Sequence, residues 1–343
     1  MRRLPLLLAL AALGLASQAK AEELNLYSSR HYDTDEKLYG DFTKETGITI
    51  NRIEAEADEL IERIRLEGAN SPADVLITVD AGRLWRAEEA GLFQPVDSAV
   101  LKERLPEDLR DPKGEWFGLS KRARVIFYDK ATIDPKLVRT YEDLARPELK
   151  GKVCMRSSAN AYNLSLMASL IAADGYDAAT EWAKGVVANF AKPPEGNDTS
   201  QLKSVAAGEC GVTLANTYYF ARMMASDDPA DQAVVDKVGV VFPNQDGPNQ
   251  DGRGTHVNIS GAGVLKHAPD RDAAVRFLEY LTSPSAQRYF ALDNHEYPAA
   301  KGLDIKDTAL DRLGAFKAEP VDVPALGENQ PLAQVAFDEA GWR

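Results

Sequence analysis

The sequence predicts an α/β protein folded as two lobes around a cleft. Three observations carry this expectation. From Glu22 onward, short apolar strands alternate with amphipathic helices, the rhythm of a parallel sheet covered by helices. A long strand pattern, EWFGLSKRARVIFYDK, then breaks in, and the rhythm restarts at GKVCMRSS, as it would if the chain crossed from one lobe to another. About 320 residues remain after an N-terminal leader, more than one hydrophobic core normally holds.

The elements follow in order. ELNLYSS alternates, with Leu24 and Leu26 on one face. DTDEKLYGDFTKETG puts Leu38, Tyr39 and Phe42 on one stripe, acids at the favourable N-terminal end and Gly47 at the stop. ITINRIE is the next strand and ADELIERIRLEGAN the next helix, with Leu60, Ile61 and Ile64 facing inward. ADVLITVD reads as a buried parallel strand. RLWRAEEAG closes the first β-α-β-α-β run. After the long strand come GKVCMRSS (strand), LSLMASLIAADG, EWAKGVVANF and TSQLKSVAAGE (helices), then the strands GVTLAN, VGVVFPN and THVNISGAGVL. The Gly/Pro/Asn stretch DGPNQDGRG is a loop, and DAAVRFLEYLTSPSAQRYFA is a helix, a turn at Ser283–Pro284 and a helix.

MRRLPLLLALAALGLASQAKA has a positive start, an apolar run too short to span a bilayer and a small-x-small end. Residues 1–21 are therefore expected to be a cleavable secretory signal, with Glu22 as the mature start. No cysteine follows the run to carry a lipid anchor. Three of the 40 basic residues and none of the 53 acidic ones lie in this leader, so the remainder carries 37 against 53, a net charge of −16. That balance argues against nucleic acid or an anionic membrane as partner and suits a soluble monomer. Cys154 and Cys210, both near the starts of neighbouring strand candidates, are expected to form a disulfide in an oxidising compartment; two buried thiols are the alternative.

Ligands of such sheets bind beyond the carboxyl ends of strands. Three of those junctions, SSRHYD, SSANAYN and TYYF, hold tyrosine: Tyr32, Tyr162, Tyr218 and Tyr219, with His31 beside the first. Phenolate is a hard, anionic oxygen that suits a trivalent cation, which displaces the phenol's proton. Zinc would recruit Cys and His, and calcium a run of carboxylates, and neither pattern is present. A single tyrosine here would most often be packing; convergence of three junctions points to metal. His31 reads equally as a ligand or as a donor behind one. Excess phenolate charge needs nearby cations. Arg122 and Arg222 are the candidates, and Arg124 reads as a solvated surface residue.

YSSRHYDTD, SKRARVIFYDK, SSANAYN, ANTYYFAR and GTHVNISGAGVLKHAP with RFLEYLTSPSAQRYFA resemble the periplasmic ferric-iron-binding proteins of ABC transporters, over nearly the whole chain after the leader. The resemblance implies a type II periplasmic-binding-protein fold with Fe(3+) in the interlobe cleft, Fe(2+) being an alternative state. It implies Tyr32, Tyr162, Tyr218 and Tyr219 as ligands, and His31 at a position that binds in some members. It implies a periplasmic location and an inner-membrane ABC permease as partner. The expected division is 22–120 with 245–300 as one lobe and 121–244 with 301–343 as the other. Two other readings stand beside this one. The same fold could bind an organic cation such as a polyamine or thiamine, which arginines in the cleft disfavour. A secreted enzyme would need a motif such as HExxH, GxSxG, CxxC or GxGxxG, and none occurs.

Overall fold

The computed structural model describes residues 22–30, 32–245, 252–306 and 308–343. The signal segment 1–21, His31 and most of the Gly/Pro/Asn loop lie outside the described residues. Among the described residues there are nine strands: β1 (Glu23–Ser28), β2 (Thr49–Glu54), β3 (Val75–Thr78), β4 (Phe117–Asp129), β5 (Val153–Cys154), β6 (Val212–Asn216), β7 (Val238–Val241), β8 (Val257–Val264) and β9 (Tyr297–Pro298). Their order is β2-β1-β3-β8-β4-β6-β5, with β7 and β9 also paired to β4.

The α/β rhythm is realised as parallel pairing of β1 with β2 and β3, and of β5 with β6. The long strand does cross. Residues Phe117 to Ala123 of β4 pair with β8, whereas Arg124 to Tyr128 pair with β6. One strand thus joins the half that holds β1 to the half that holds β6, and residues 122–124 lie at the changeover.

Local rules explain most boundaries. The helix Asp35–Thr46 buries Leu38, Tyr39 and Phe42 and stops where Gly47 turns left-handed, φ 77°, its N–H bonded to the Thr43 carbonyl. The helix Ala57–Glu67 buries Leu60, Ile61 and Ile64. Asp80 caps the helix Ala81–Glu89 by accepting from the Arg83 N–H. β5 is only two residues long, much shorter than GKVCMRSS suggests, because the chain turns toward the helix Ala161–Asp174 soon after Met155.

The sequence pattern gives no element after residue 292, yet the helices Val323–Glu328 and Gln330–Ala340 form there. Pro324 and Pro331 sit in the first helical turn, where proline loses no hydrogen bond. The first of these helices packs on Ala81–Glu89 and on Ala161–Asp174, so it touches both halves. A Cβ on Gly327 would lie 2.3 Å from the Trp85 ring, which is why glycine stands at that contact. Among the described residues, no helix is long and apolar enough to cross a membrane.

Cys154 and Cys210 are bonded, with Cα atoms 5.8 Å apart and 56 residues of separation. The bridge ties β5 to the residue that leads into β6. Closing a loop of that length should stabilise the fold by about 4 kcal/mol. Replacing both cysteines by alanine is expected to lower the denaturant midpoint accordingly, and the unreduced, denatured chain should give no free thiol. A full complement of titratable thiols would refute the bridge.

Candidate metal centre

Each of the four tyrosines stands where a strand or strand-like segment gives way to a turn or helix. Tyr32 follows β1 in the turn that enters the helix Asp35–Thr46; its carbonyl accepts from the Asp35 N–H at 2.9 Å. Tyr162 is the second residue of the helix Ala161–Asp174, its N–H held by the capping Asn160 side chain at 3.0 Å. Tyr218 and Tyr219 are the second and third residues of the helix Thr217–Ala225. Three phenols therefore come from the first turns of two helices, where the positive dipole end favours an anion.

The structure brings all four together. The Tyr162 and Tyr218 hydroxyls are 3.2 Å apart. The Tyr218 and Tyr219 rings lie 4.1 Å apart, and Tyr32 meets Tyr218 edge-on at 6.0 Å. Tyr218 is fully buried. Burial pushes the phenols of Tyr32, Tyr218 and Tyr219 above the usual tyrosine range. Glu296 and the Tyr162 phenol add to the shift at Tyr32, and Arg30 and Arg122 oppose it.

Behind the phenols lie two buried ionic networks, one in each half. In the first, Arg30 donates to Asp35 at 2.7 and 3.0 Å and to Glu296 at 3.2 Å, and its guanidinium lies over the Tyr32 ring at 4.7 Å. Glu296 also accepts from Ser120 at 2.8 Å. Arg122 sits 3.9 Å from Glu296, donates to Ser260 and to the Ile259 carbonyl, and lies 5.5 Å from the Tyr162 ring. In the second network, Asp198 accepts from Arg124 and Arg156, each at 3.1 Å, and from the Asn216 N–H at 2.8 Å, just ahead of the tyrosine pair. Arg124 and Arg156 approach the Tyr162 ring at 6.0 and 5.5 Å. Among the described residues, the buried Nε groups of Arg122 and Arg124 have no acceptor.

Of the cations expected from sequence, Arg122 is buried beside the phenols. Arg222 is exposed, with its guanidinium 5.9 Å from the Tyr218 ring. Arg124 is not the solvated surface residue the sequence suggests: it is 2 % exposed and enclosed by Asp198, Asn163 and Asn216. Sequence reasoning missed Arg30, Asp35, Arg156, Asp198 and Glu296. Asp198 opens a helix and so reads as an ordinary helix-start acid, and nothing around Glu296 marks it from sequence. His31 lies outside the described residues.

A cavity of about 390 Å³ adjoins the phenols, with Tyr162, Tyr219, Arg83, Arg156, Asn160 and Asn197 on its wall. A larger one, about 470 Å³, lies by His256 and Glu319 and is lined by none of the four tyrosines. Among the described residues, one carboxylate group, Glu88, Asp111 and Glu115, has metal-like spacing. Lys113 and the Trp116 indole already bond Glu88.

Residues 37–313 match the family model for bacterial extracellular solute-binding proteins. The chain belongs to that family. This solute-binding protein is 54% identical to iron uptake protein A1 of Synechocystis over 94% of this chain and 88% of the relative. A Trichodesmium protein solved in complex with iron and citrate ligands shares 55% identity, with a TM-score of 0.86 over 94% of this chain and all of the other. The ferric binding protein from Campylobacter jejuni shares 42% identity, with a TM-score of 0.87 over 93% of this chain and all of the other. The two-lobed α/β fold is the fold of these proteins.

Proposed function

We propose that this protein captures ferric iron through Tyr32, Tyr162, Tyr218 and Tyr219 in the cleft and delivers it, from the periplasm, to an ABC permease. The observation that carries the reading is the meeting of four phenols from both halves of the chain inside a shell of arginines. The lobes are proposed to divide as 22–120 with 245–300 and 121–244 with 301–343, the last segment bridging both through Val323–Glu328. The relatives carry names of iron uptake and iron binding rather than of catalysis, and the proposal is of a binding protein.

Charge favours the trivalent ion. Four guanidiniums (Arg30, Arg122, Arg124, Arg156) and three carboxylates (Asp35, Asp198, Glu296) leave one positive charge around the phenols. A ferric ion with four phenolates carries one negative charge, and the two cancel. Fe(2+) with the same ligands would leave one negative charge over, which a phenol that keeps its proton would remove. Arg222 is exposed to solvent and weighs less, because water and salt screen it. An organic cation such as a polyamine or thiamine would meet a positive shell.

One relative holds citrate with its iron. The cavity beside Tyr162 and Tyr219 has room for a carboxylate companion of that kind, with Arg83 and Arg156 on its wall as donors and Glu56, Asp58 and Asp80 there as opposing charges.

The test is colour. Ferric phenolate absorbs visible light, so the purified protein loaded with one equivalent of ferric iron should gain a visible band that a strong chelator removes. A colourless protein that binds thiamine or a polyamine instead would overturn the proposal.

A further inference from the structure

We propose that Asp80 is a positioning residue that latches the two halves in the arrangement that gathers the phenols. The role rests on the ferric reading and the lobe division above. Asp80 stands on the half that supplies Tyr32, between β3 and the helix Ala81–Glu89 that it caps. Among the described residues, its side chain bonds Arg83, Ser165, Asn258 and Gln330, and no tyrosine. It therefore acts on the site through the arrangement of the halves and not through a ligand.

The carboxylate is buried, and its partners come from both halves. Oδ1 accepts from the Arg83 N–H at 3.0 Å and from the Gln330 amide at 2.9 Å. Oδ2 accepts from Asn258 at 2.8 Å and from the Ser165 hydroxyl. Arg83 and Asn258 belong to its own half. Asn258 lies on β8 opposite Arg122, where β4 changes partners. Ser165 and Gln330 belong to the other half. Ser165 is one turn after Tyr162 and on the same face of the helix Ala161–Asp174. Gln330 opens the last helix, which packs on that same helix, and its amide also donates to Ser165 at 3.3 Å. A Cβ on Gly82 would run into the Gln330 amide, so the helix Ala81–Glu89 gives up a side chain where Gln330 crosses. Burial alone would raise the Asp80 carboxyl. Arg83 and the bonds from Ser165, Gln330 and Asn258 hold it below the usual carboxylate range, so both crossing bonds end on a charge. Parting the halves to free the metal pulls Ser165 and Gln330 away from that charge.

The alternative is that Asp80 only caps its helix and supports the fold. Ser165→Ala separates the two, because it spares both the cap and the charge and removes one crossing bond. Ferric affinity, measured by chelator competition, should fall about 10–100-fold, the worth of one hydrogen bond to a charged group. The loss should appear as faster iron release, since the bond holds only while the halves are together. Gln330→Met keeps the length of the side chain and removes the other crossing bond from a separate element. It should weaken binding in the same way, and it carries the test alone should Ser165→Ala fail to fold. Unchanged affinity in both folded variants overturns the role, whatever happens to the denaturant midpoint of the metal-free protein. A loss in Ser165→Ala with Gln330→Met unmoved places the effect within the Tyr162 helix and also overturns it. Absence of the visible band in the unmodified protein would overturn the ferric reading and this role with it. An intact band with unmoved affinities overturns only the role of Asp80.

Discussion

Tyr218→Phe is expected to weaken ferric binding by more than about 100-fold, beyond the cost of losing an outer partner, and to remove much of the visible absorption. Tyr218 sits at the middle of the cluster: its hydroxyl reaches Tyr162, its ring lies against Tyr219, and Tyr32 meets it edge-on. The substitution deletes one anionic ligand and leaves the ring in place, so packing survives. In the metal-free protein the Tyr218 oxygen loses its hydrogen bonds to Tyr162 and Tyr219, each worth about 1 kcal/mol. Stability of the metal-free variant should therefore fall by no more than the worth of those two bonds while iron binding collapses. Unchanged ferric affinity in a folded variant would remove Tyr218 from the ligand set.

Much of this site is legible in the sequence because the phenols follow a rule of topology. Tyr32, Tyr162 and the Tyr218–Tyr219 pair each follow a strand or strand-like stretch, and periodicity alone locates those stretches. The ionic networks are not legible, because they depend on pairing between distant segments. Glu296 reaches Tyr32 across 264 residues. Asp198 reaches Arg124 across 74. A lone acid carries no local mark of such a partner, and an arginine on a strand gives no sign of being enclosed, as Arg124 is. The C-terminal helices escape for a different reason. They carry proline in the first turn and gain their stability from packing, the first against Trp85 and its neighbours and the second against the helices Ala161–Asp174 and Tyr176–Ala188, which local propensity does not register.

Ferric affinity should fall by about a thousandfold for each unit of acidification near neutrality. Burial holds the phenols of Tyr32, Tyr218 and Tyr219 protonated well past neutral pH in the metal-free protein. Each must lose its proton to bind, so loading releases at least three. Each proton released makes affinity change about tenfold per pH unit, in the direction of tighter binding as pH rises. No plateau is reached near neutrality, because the free phenols titrate above the usual tyrosine value. The stability of the metal-free fold has a different window. A phenol raised above its unfolded value supports the fold below about pH 10 and loses that support as pH rises through the folded value. Between about pH 6 and about pH 8, acid therefore acts on the metal complex through these groups and not on the scaffold. Competition against a chelator of known proton affinity should give a slope of about three or more in log affinity against pH. Tyr219→Phe should lower that slope by about one, since one proton no longer has to leave. A slope near zero would mean that these phenols do not ionise on binding, and the tyrosines could not then be the anionic ligands of the metal.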